Sequence, residues 1–248
     1  MRKLKLNLAI SGILLAVLTM LFVATTIAYF SDSKRVTNTI TVGNVQILLS
    51  EASVKRDDVG HLIQDTTVSR IYGGNSDETQ NYGYIYPSQS IYKDPTIENV
   101  GSEKAWVAFK VTVKDGVGDL RKLMGYPNSD HIDLRVLFSG ALFSEGFERS
   151  EWNGFERVFH NENYAMLQVG KPHEDKYEFY IFILKPLESG KKVVLFDNMT
   201  IPEEWGNLEM QELKNLVIDV EAFGVQTFNL ENCYEAMTKA LPKYFTFN

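Results

Sequence analysis

From residue 38 onward the dominant spacing of apolar positions is two. Ala105, Val107, Phe109, Val111 and Val113 alternate with Lys110, Thr112 and Lys114, which predicts a strand with one face buried. The same alternation recurs at Leu134, Val136 and Phe138, with Asp133 and Arg135 opposite. It recurs again at Leu216, Ile218, Val220 and Ala222, with Asp219 and Glu221 opposite. Such alternation favours antiparallel sheets with one solvated face. The run 177–184 is apolar on both sides near its end and stops at Pro186, as a central strand covered on two faces does. Between Ile40, Val42 and Val45, Ile47, Leu49 the apolar parity switches across Gly43-Asn44. A bulge or bend there restores the facing, because glycine tolerates the dihedrals that an extra residue imposes.

Helical signals are few. The spacing predicts short helices over 119–124 and 208–214, and a better one over 230–241, which starts behind Asn229 as cap and ends before Pro242. The polar, turn-rich stretches 55–89 and 144–163 read as long loops or excursions. Neither has repeats or a linker-like composition, so a single domain over 29–248 with decorated loops accounts for the spacing. The expected fold class is all-β, an antiparallel β-sandwich with a few short helices.

The first thirty residues depart from this pattern. Arg2, Lys3 and Lys5 are followed by no charge until Asp32, and residues 8–27 are apolar except for Asn7 before them and weak interruptions by serine, glycine and threonine. This is an export segment. Its length approaches the roughly 20 residues that span a bilayer, so an uncleaved anchor with the basic end inside is the alternative to a cleaved signal peptide. Thr26 and Ala28 put small side chains at the −3 and −1 positions of a cleavage site. Residues 1–28 are therefore expected to be a signal peptide and Tyr29 the first mature residue. Removing the segment leaves 22 basic against 32 acidic residues, a net charge of −10 in place of −7. That acidity excludes nucleic acid as a natural partner, since phosphate binding depends on Lys and Arg. With one cysteine, Cys233, no intramolecular disulfide can form. Its position in the amphipathic stretch 230–241 suits a buried small hydrophobe.

The residues around the cleavage site carry a family resemblance. Thr-Thr-Ile-Ala-Tyr-Phe-Ser-Asp-Ser at 25–33, followed by Asn-Thr-Ile-Thr-Val-Gly-Asn-Val-Gln-Ile at 38–47, resembles the start of the TasA and camelysin proteins of Gram-positive bacteria. Tyr86-Pro87-Ser88 leading to Thr96-Ile-Glu-Asn-Val-Gly101 resembles that family's hairpin of a proline and a strand ending in Asn-x-Gly, with 105–113 as the returning strand. The stretches 218–226 and 232–236 resemble its last strand and short terminal helix. Residues 55–80 and 144–163 have no counterpart. The resemblance implies a jelly-roll sandwich, secretion after cleavage by a dedicated signal peptidase, and assembly into biofilm-matrix fibres. In such fibres the N-terminal segment of one subunit pairs as a strand in the next subunit's sheet. Residues 29–40 are the implied donor, with Tyr29, Phe30, Val36 and Ile40 as its apolar side chains. The implied partner is another copy of the chain or a related fibre subunit. The plainer alternative is a frayed terminus, or a strand folded back on its own sandwich.

Camelysin is classed as a casein-cleaving metalloprotease, so a cell-surface metallopeptidase is the second reading. Zinc proteases typically place two histidines four apart on a helix with a glutamate between them. His61, His131, His160 and His173 have no such spacing, and Tyr177 stands where a second ligand would follow His173. No nucleophile elbow, phosphate loop or dinucleotide fingerprint occurs. Asp115-Gly-Val-Gly-Asp119 lacks the ligand spacing of a calcium loop, so no metal and no cofactor is expected. A third reading, a surface module that binds matrix polysaccharide, rests on Trp152 and Trp205 in loop-like segments, Trp106 being assigned to packing.

Overall fold

A computed structural model describes residues 31–34, 45–73, 85–114, 133–169, 176–206 and 217–247. The bend at Gly43-Asn44 and the short helices expected over 119–124 and 208–214 lie outside the described residues. What is described is predominantly β, with one α-helix of eight residues.

The largest sheet has seven antiparallel strands. In spatial order they are β1 (Ser31–Lys34), β16 (Val217–Gln226), β8 (Ala105–Lys114), β13 (Lys176–Ile183), β12 (Tyr164–Val169), β11 (Phe155–His160) and β10 (Glu148–Trp152). A four-stranded sheet runs β14 (Lys192–Val194), β7 (Thr96–Asn99), β2 (Ile47–Glu51), β5 (Ile71–Tyr72). A five-stranded sheet runs β3 (Val54–Arg56), β4 (Leu62–Gln64), β6 (Ser90–Tyr92), β15 (Asn198–Thr200), β9 (Phe138–Ser139), with β4 and β6 parallel.

Alternation decides which layer each side chain joins. Along β8 the odd positions from Ala105 to Val113 point into a core shared with Tyr177, Phe179 and Ile181 of β13 and with Ile47, Ile97, Ile91, Phe138 and Met199 of the smaller sheets. The even positions Trp106 and Ala108 turn to the opposite face. There they meet Phe182 and Phe223 under the helix α1 (Cys233–Ala240) and the segment running on to Phe247. β13 is thus apolar on both sides because both sides are covered, as its sequence predicts. Burying one large aliphatic or aromatic side chain contributes roughly 1.5–3 kcal/mol, so these two cores are the main source of stability.

The smaller sheets are tied together by buried polar groups. Arg70 donates to Asp94 Oδ2 (2.7 Å), Thr96 Oγ1 (2.9 Å) and Ser50 Oγ (3.0 Å), and Asp94 Oδ1 accepts from the amide of Ala52 (2.7 Å). Lys93 meets Glu51 at 2.6 Å. A buried carboxylate is tolerated only when its lone pairs are engaged, and the aspartate here accepts from both a guanidinium and a backbone amide.

Several expected elements differ. Leu134, Val136 and Phe138 do not form one strand: residues Leu134–Val136 make a single 3-10 turn, capped by Asp133, whose carboxylate accepts from the Arg135 amide. A polar residue that bonds its own neighbours offers the backbone an alternative to the ladder. The stretch 144–163 is not a loop but the hairpin β10–β11. Its two-residue turn is Asn153-Gly154, both at positive φ (48° and 82°), as the tight turn between twisted strands demands. Likewise 54–72 contains β3, β4 and β5. The 96–101 and 105–113 segments are not a hairpin, because β7 and β8 belong to different sheets. Asn99 turns the chain from one sheet to the other: its amide donates to the carbonyls of Glu103 and Leu187, and its oxygen accepts from Gly101 N. The cap of α1 is Asn232, which accepts from Glu235 N, whereas Asn229 stands at φ 58° in the preceding turn.

The layers approach closely at Gly224 of β16, where a Cβ would stand 2.8 Å from Ile47 Cγ2. Gly224→Ala is therefore expected to cost about 1–3 kcal/mol through overpacking. Denaturant titration of the variant and of the double variant with Ile47→Ala checks it. An undiminished midpoint in the single variant, or no recovery of any part in the double, contradicts the close contact.

Candidate functional site

A sheet is chemically incomplete at its two edges, where one row of N–H and C=O groups has no ladder partner. In the large sheet the two edges are built differently. At one end β16 pairs with β8 over all ten of its residues, and its other side is covered at Ala222–Val225 by β1, in the register Ser31↔Val225, Asp32↔Gly224, Ser33↔Phe223, Lys34↔Ala222. At the other end β10 exposes Glu148, Arg149, Ser150 and Glu151, and its register slips between Ser150 and Trp152. Charge and a bulge both discourage a further strand.

The residues expected from sequence divide accordingly. Ser31–Lys34, in the middle of the expected donor segment, is a strand on the chain's own sheet. Thr26, Ala28 and Tyr29 of the cleavage site, and Phe30, Val36 and Ile40 of the donor, lie outside the described residues. What sequence reasoning did not find is the strand that receives β1. By its own pattern β16 reads as one alternating strand among several, and nothing in that pattern marks it as the strand beside the sheet's margin.

β16 is held from both sides at the point of pairing. Ala222 and Gly224 face the core beside Ile47. Phe223 faces the other way, its ring centroid 4.9 Å from that of Phe245 and 5.3 Å from that of Tyr244. β16, fixed in this way, holds the N–H and C=O groups that face β1 in a set geometry.

Farther along the same strand lies the main ionic cluster of this face. Lys110 Nζ stands 2.9 Å from Glu178 Oε1 and 3.9 Å from Glu221 Oε1, and Lys176 reaches Glu178 at 2.9 Å. Burial pushes the Glu178 carboxyl up, but the bonds from Lys110 and Lys176 outweigh it, and the group sits below the usual glutamate range. Burial, with the Glu178 charge second, pushes the Tyr180 hydroxyl well up. The cluster thus locks β16, β8 and β13 side by side, and it is arranged as an ion pair rather than as an acid and base poised for catalysis.

The remaining expectations can be placed. Cys233 is fully buried on α1, its thiol donates to the Val107 carbonyl at 3.2 Å, and burial pushes it up, so it packs as a small hydrophobe. His61 accepts at Nδ1 from Ser90 N, which fixes the neutral tautomer with its proton on Nε2. His160 Nε2 lies 2.7 Å from Ser150 Oγ on the β10–β11 hairpin. His131 and His173 lie outside the described residues. Among the described residues no three His, Cys, Asp or Glu side chains gather as a metal site. Trp106 is buried and points its Nε1 at the Leu230 carbonyl (3.4 Å). Trp205 is only 3% exposed, which removes it as a sugar platform. Trp152 is half-buried against Phe182 and Tyr234. No family model, curated protein or solved structure matches the chain.

Replacing Lys110 by Met leaves Glu178 and Glu221 short of their shared cation and is expected to cost about 1–3 kcal/mol near neutral pH. A glutamate held below its ordinary value stabilises the fold above that value, 4.5, and the contribution is lost as pH falls through the folded value. The parent should therefore weaken below pH 4.5 more steeply than Lys110→Met. Urea titrations of both proteins across pH give the comparison, and parallel acid limbs would contradict the assignment.

Proposed function

We propose that the chain is a secreted subunit of an extracellular fibre, a jelly-roll sandwich of the TasA/camelysin kind, in which the N-terminal segment of one subunit is added as a strand to the large sheet of the next. The observation that carries this reading is the pairing of Ser31–Lys34 with Ala222–Val225 at the sheet edge. It supports the reading because a ladder of backbone hydrogen bonds does not depend on which chain supplies the strand. A segment that completes its own sheet in one subunit can complete a neighbour's in the same register. The exchange conserves the bonds, and their loss without replacement would leave edge groups and apolar surface uncovered.

Export and assembly then follow in order. The segment 1–28 directs the chain across the membrane, and cleavage after Ala28 releases Tyr29 as a free end. Tyr29, Phe30, Val36 and Ile40 seek pockets in the neighbour, while Asp32, Lys34 and Arg35 stay nearer solvent. Because the donor and the acceptor edge are different surfaces of one subunit, the contact repeats head to tail and yields an open filament rather than a closed dimer. The opposite edge, β10, with its exposed charges and bulge, is suited to stay unpaired. The partners on this reading are another copy of the chain or a related subunit, and the signal peptidase during export. The net charge of −10 after cleavage keeps single subunits soluble before they assemble.

Two measurements test it. Intact-mass analysis of culture supernatant should find a species beginning at Tyr29, and a membrane-bound species that retains Met1 would instead establish an anchored protein. Electron microscopy and light scattering should find fibres from the chain that begins at Tyr29 and none from a chain lacking 29–36. Equal polymerisation by both, or monomers from both under all conditions, would sink strand donation.

A further inference from the structure

Two fully buried polar atoms have no hydrogen-bond partner among the described residues, and both belong to one corner of the core: Arg135 Nη1 and Tyr164 Oη. Arg135 comes from the 3-10 turn that replaced the expected strand. Its guanidinium packs against two rings set edge to face, with Cζ 3.1 Å from the Phe147 centroid and 4.4 Å from that of Phe159. Nε donates to Asp133 Oδ1 at 2.7 Å, and Nη2 donates to Asp133 Oδ2. That fork uses one side of the group and leaves Nη1 as the only nitrogen without an acceptor. The side chain is 11% exposed, so open solvent does not supply one. Tyr164, the first residue of β12, is wholly buried with its ring 6.1 Å from Phe143. Phe159, against which the guanidinium packs, stands opposite Met166, two residues along β12 from Tyr164 and on the same face of the strand, so the tyrosine and the guanidinium share one neighbourhood, with Glu145 close by.

We propose that Arg135 Nη1 and Tyr164 Oη bind a single ordered water molecule. The chemistry of the donors selects it. Nη1 can only donate, so the occupant is an acceptor and not a cation. Arg135 is already matched by Asp133, and Glu145 adds a further carboxylate beside the tyrosine, so the corner has no surplus positive charge to hold an anion. Glu145 is itself engaged: it accepts from Asn163 Nδ2 at 2.7 Å, and Asn163 Oδ1 accepts from Lys185 at 2.7 Å. A neutral acceptor able to donate onward satisfies both atoms, and buried waters typically serve such otherwise unsatisfied groups. The water would join the 3-10 turn to β12 and hold the guanidinium against the two rings.

The sign of one substitution separates a hydrated corner from a dry one. Tyr164→Phe deletes only the hydroxyl. If the hydroxyl is bound to water, the purified protein carrying the substitution should melt about 2–4 °C below the parent. If the hydroxyl is dry and unpaired, its removal relieves a burial penalty and the variant should melt higher, which would overturn the proposal. A high-resolution crystal structure of the parent supplies an independent readout, with a density peak expected within hydrogen-bonding distance of both atoms. Should the melting temperatures coincide, the density decides, and no peak overturns the site. A peak that carries bromide anomalous signal after a bromide soak also overturns it, because the site then holds an anion.

Discussion

An antiparallel sheet has to stop, and where it stops it leaves hydrogen-bonding groups without partners. The arrangement of this protein follows from how its largest sheet meets that constraint at its two ends. One end is closed by a short strand taken from the start of the described chain, set against a long strand from near its other end. The opposite end is left to charge and a bulge. Between them β8 and β13 are flanked by strands on both sides and covered on both faces. The sheet is therefore firm in the middle and has two margins of unlike character.

The middle of the sheet was legible in the sequence. Alternation along 105–113 and 218–222 sorted the side chains to the correct faces, and the doubly apolar run at 177–184 marked the strand covered twice. Those segments are legible because their facing depends on burial, and burial is written in a period of two. Where local polar chemistry competes with burial, the period misleads. Asp133 turned an alternating stretch into a 3-10 turn by bonding the Arg135 amide, and Asn99 diverted what resembled a hairpin into a passage between sheets. Asn153-Gly154 is a turn dipeptide in plain view, yet the polar residues around it, on an exposed edge hairpin, look like those of a loop.

The site was legible only in part, for a different reason. Ser31–Lys34 lies within the segment 29–40 and takes strand conformation on the chain's own sheet, the plainer of the two arrangements that the sequence left open. The strand it pairs with has no local signature. Ten residues of β16 look the same in sequence whether they lie inside a sheet or beside its margin, because the difference lies in which strand arrives next. The unpaired atoms of Arg135 and Tyr164 are hidden in the same way, since neither residue is unusual until the distant groups around it are known.

The direction of β1 has a mechanical consequence. β1 runs antiparallel to β16, with four residue pairs in register. Tension drawn along the strand axis, as in a stretched thread, loads all of these pairs at once in shear. Tension drawn across the sheet would open them singly, as a zipper does. A junction of this geometry is strong along one line and weak across it, so subunits joined through it would carry load lengthwise while remaining open to being peeled apart from the side.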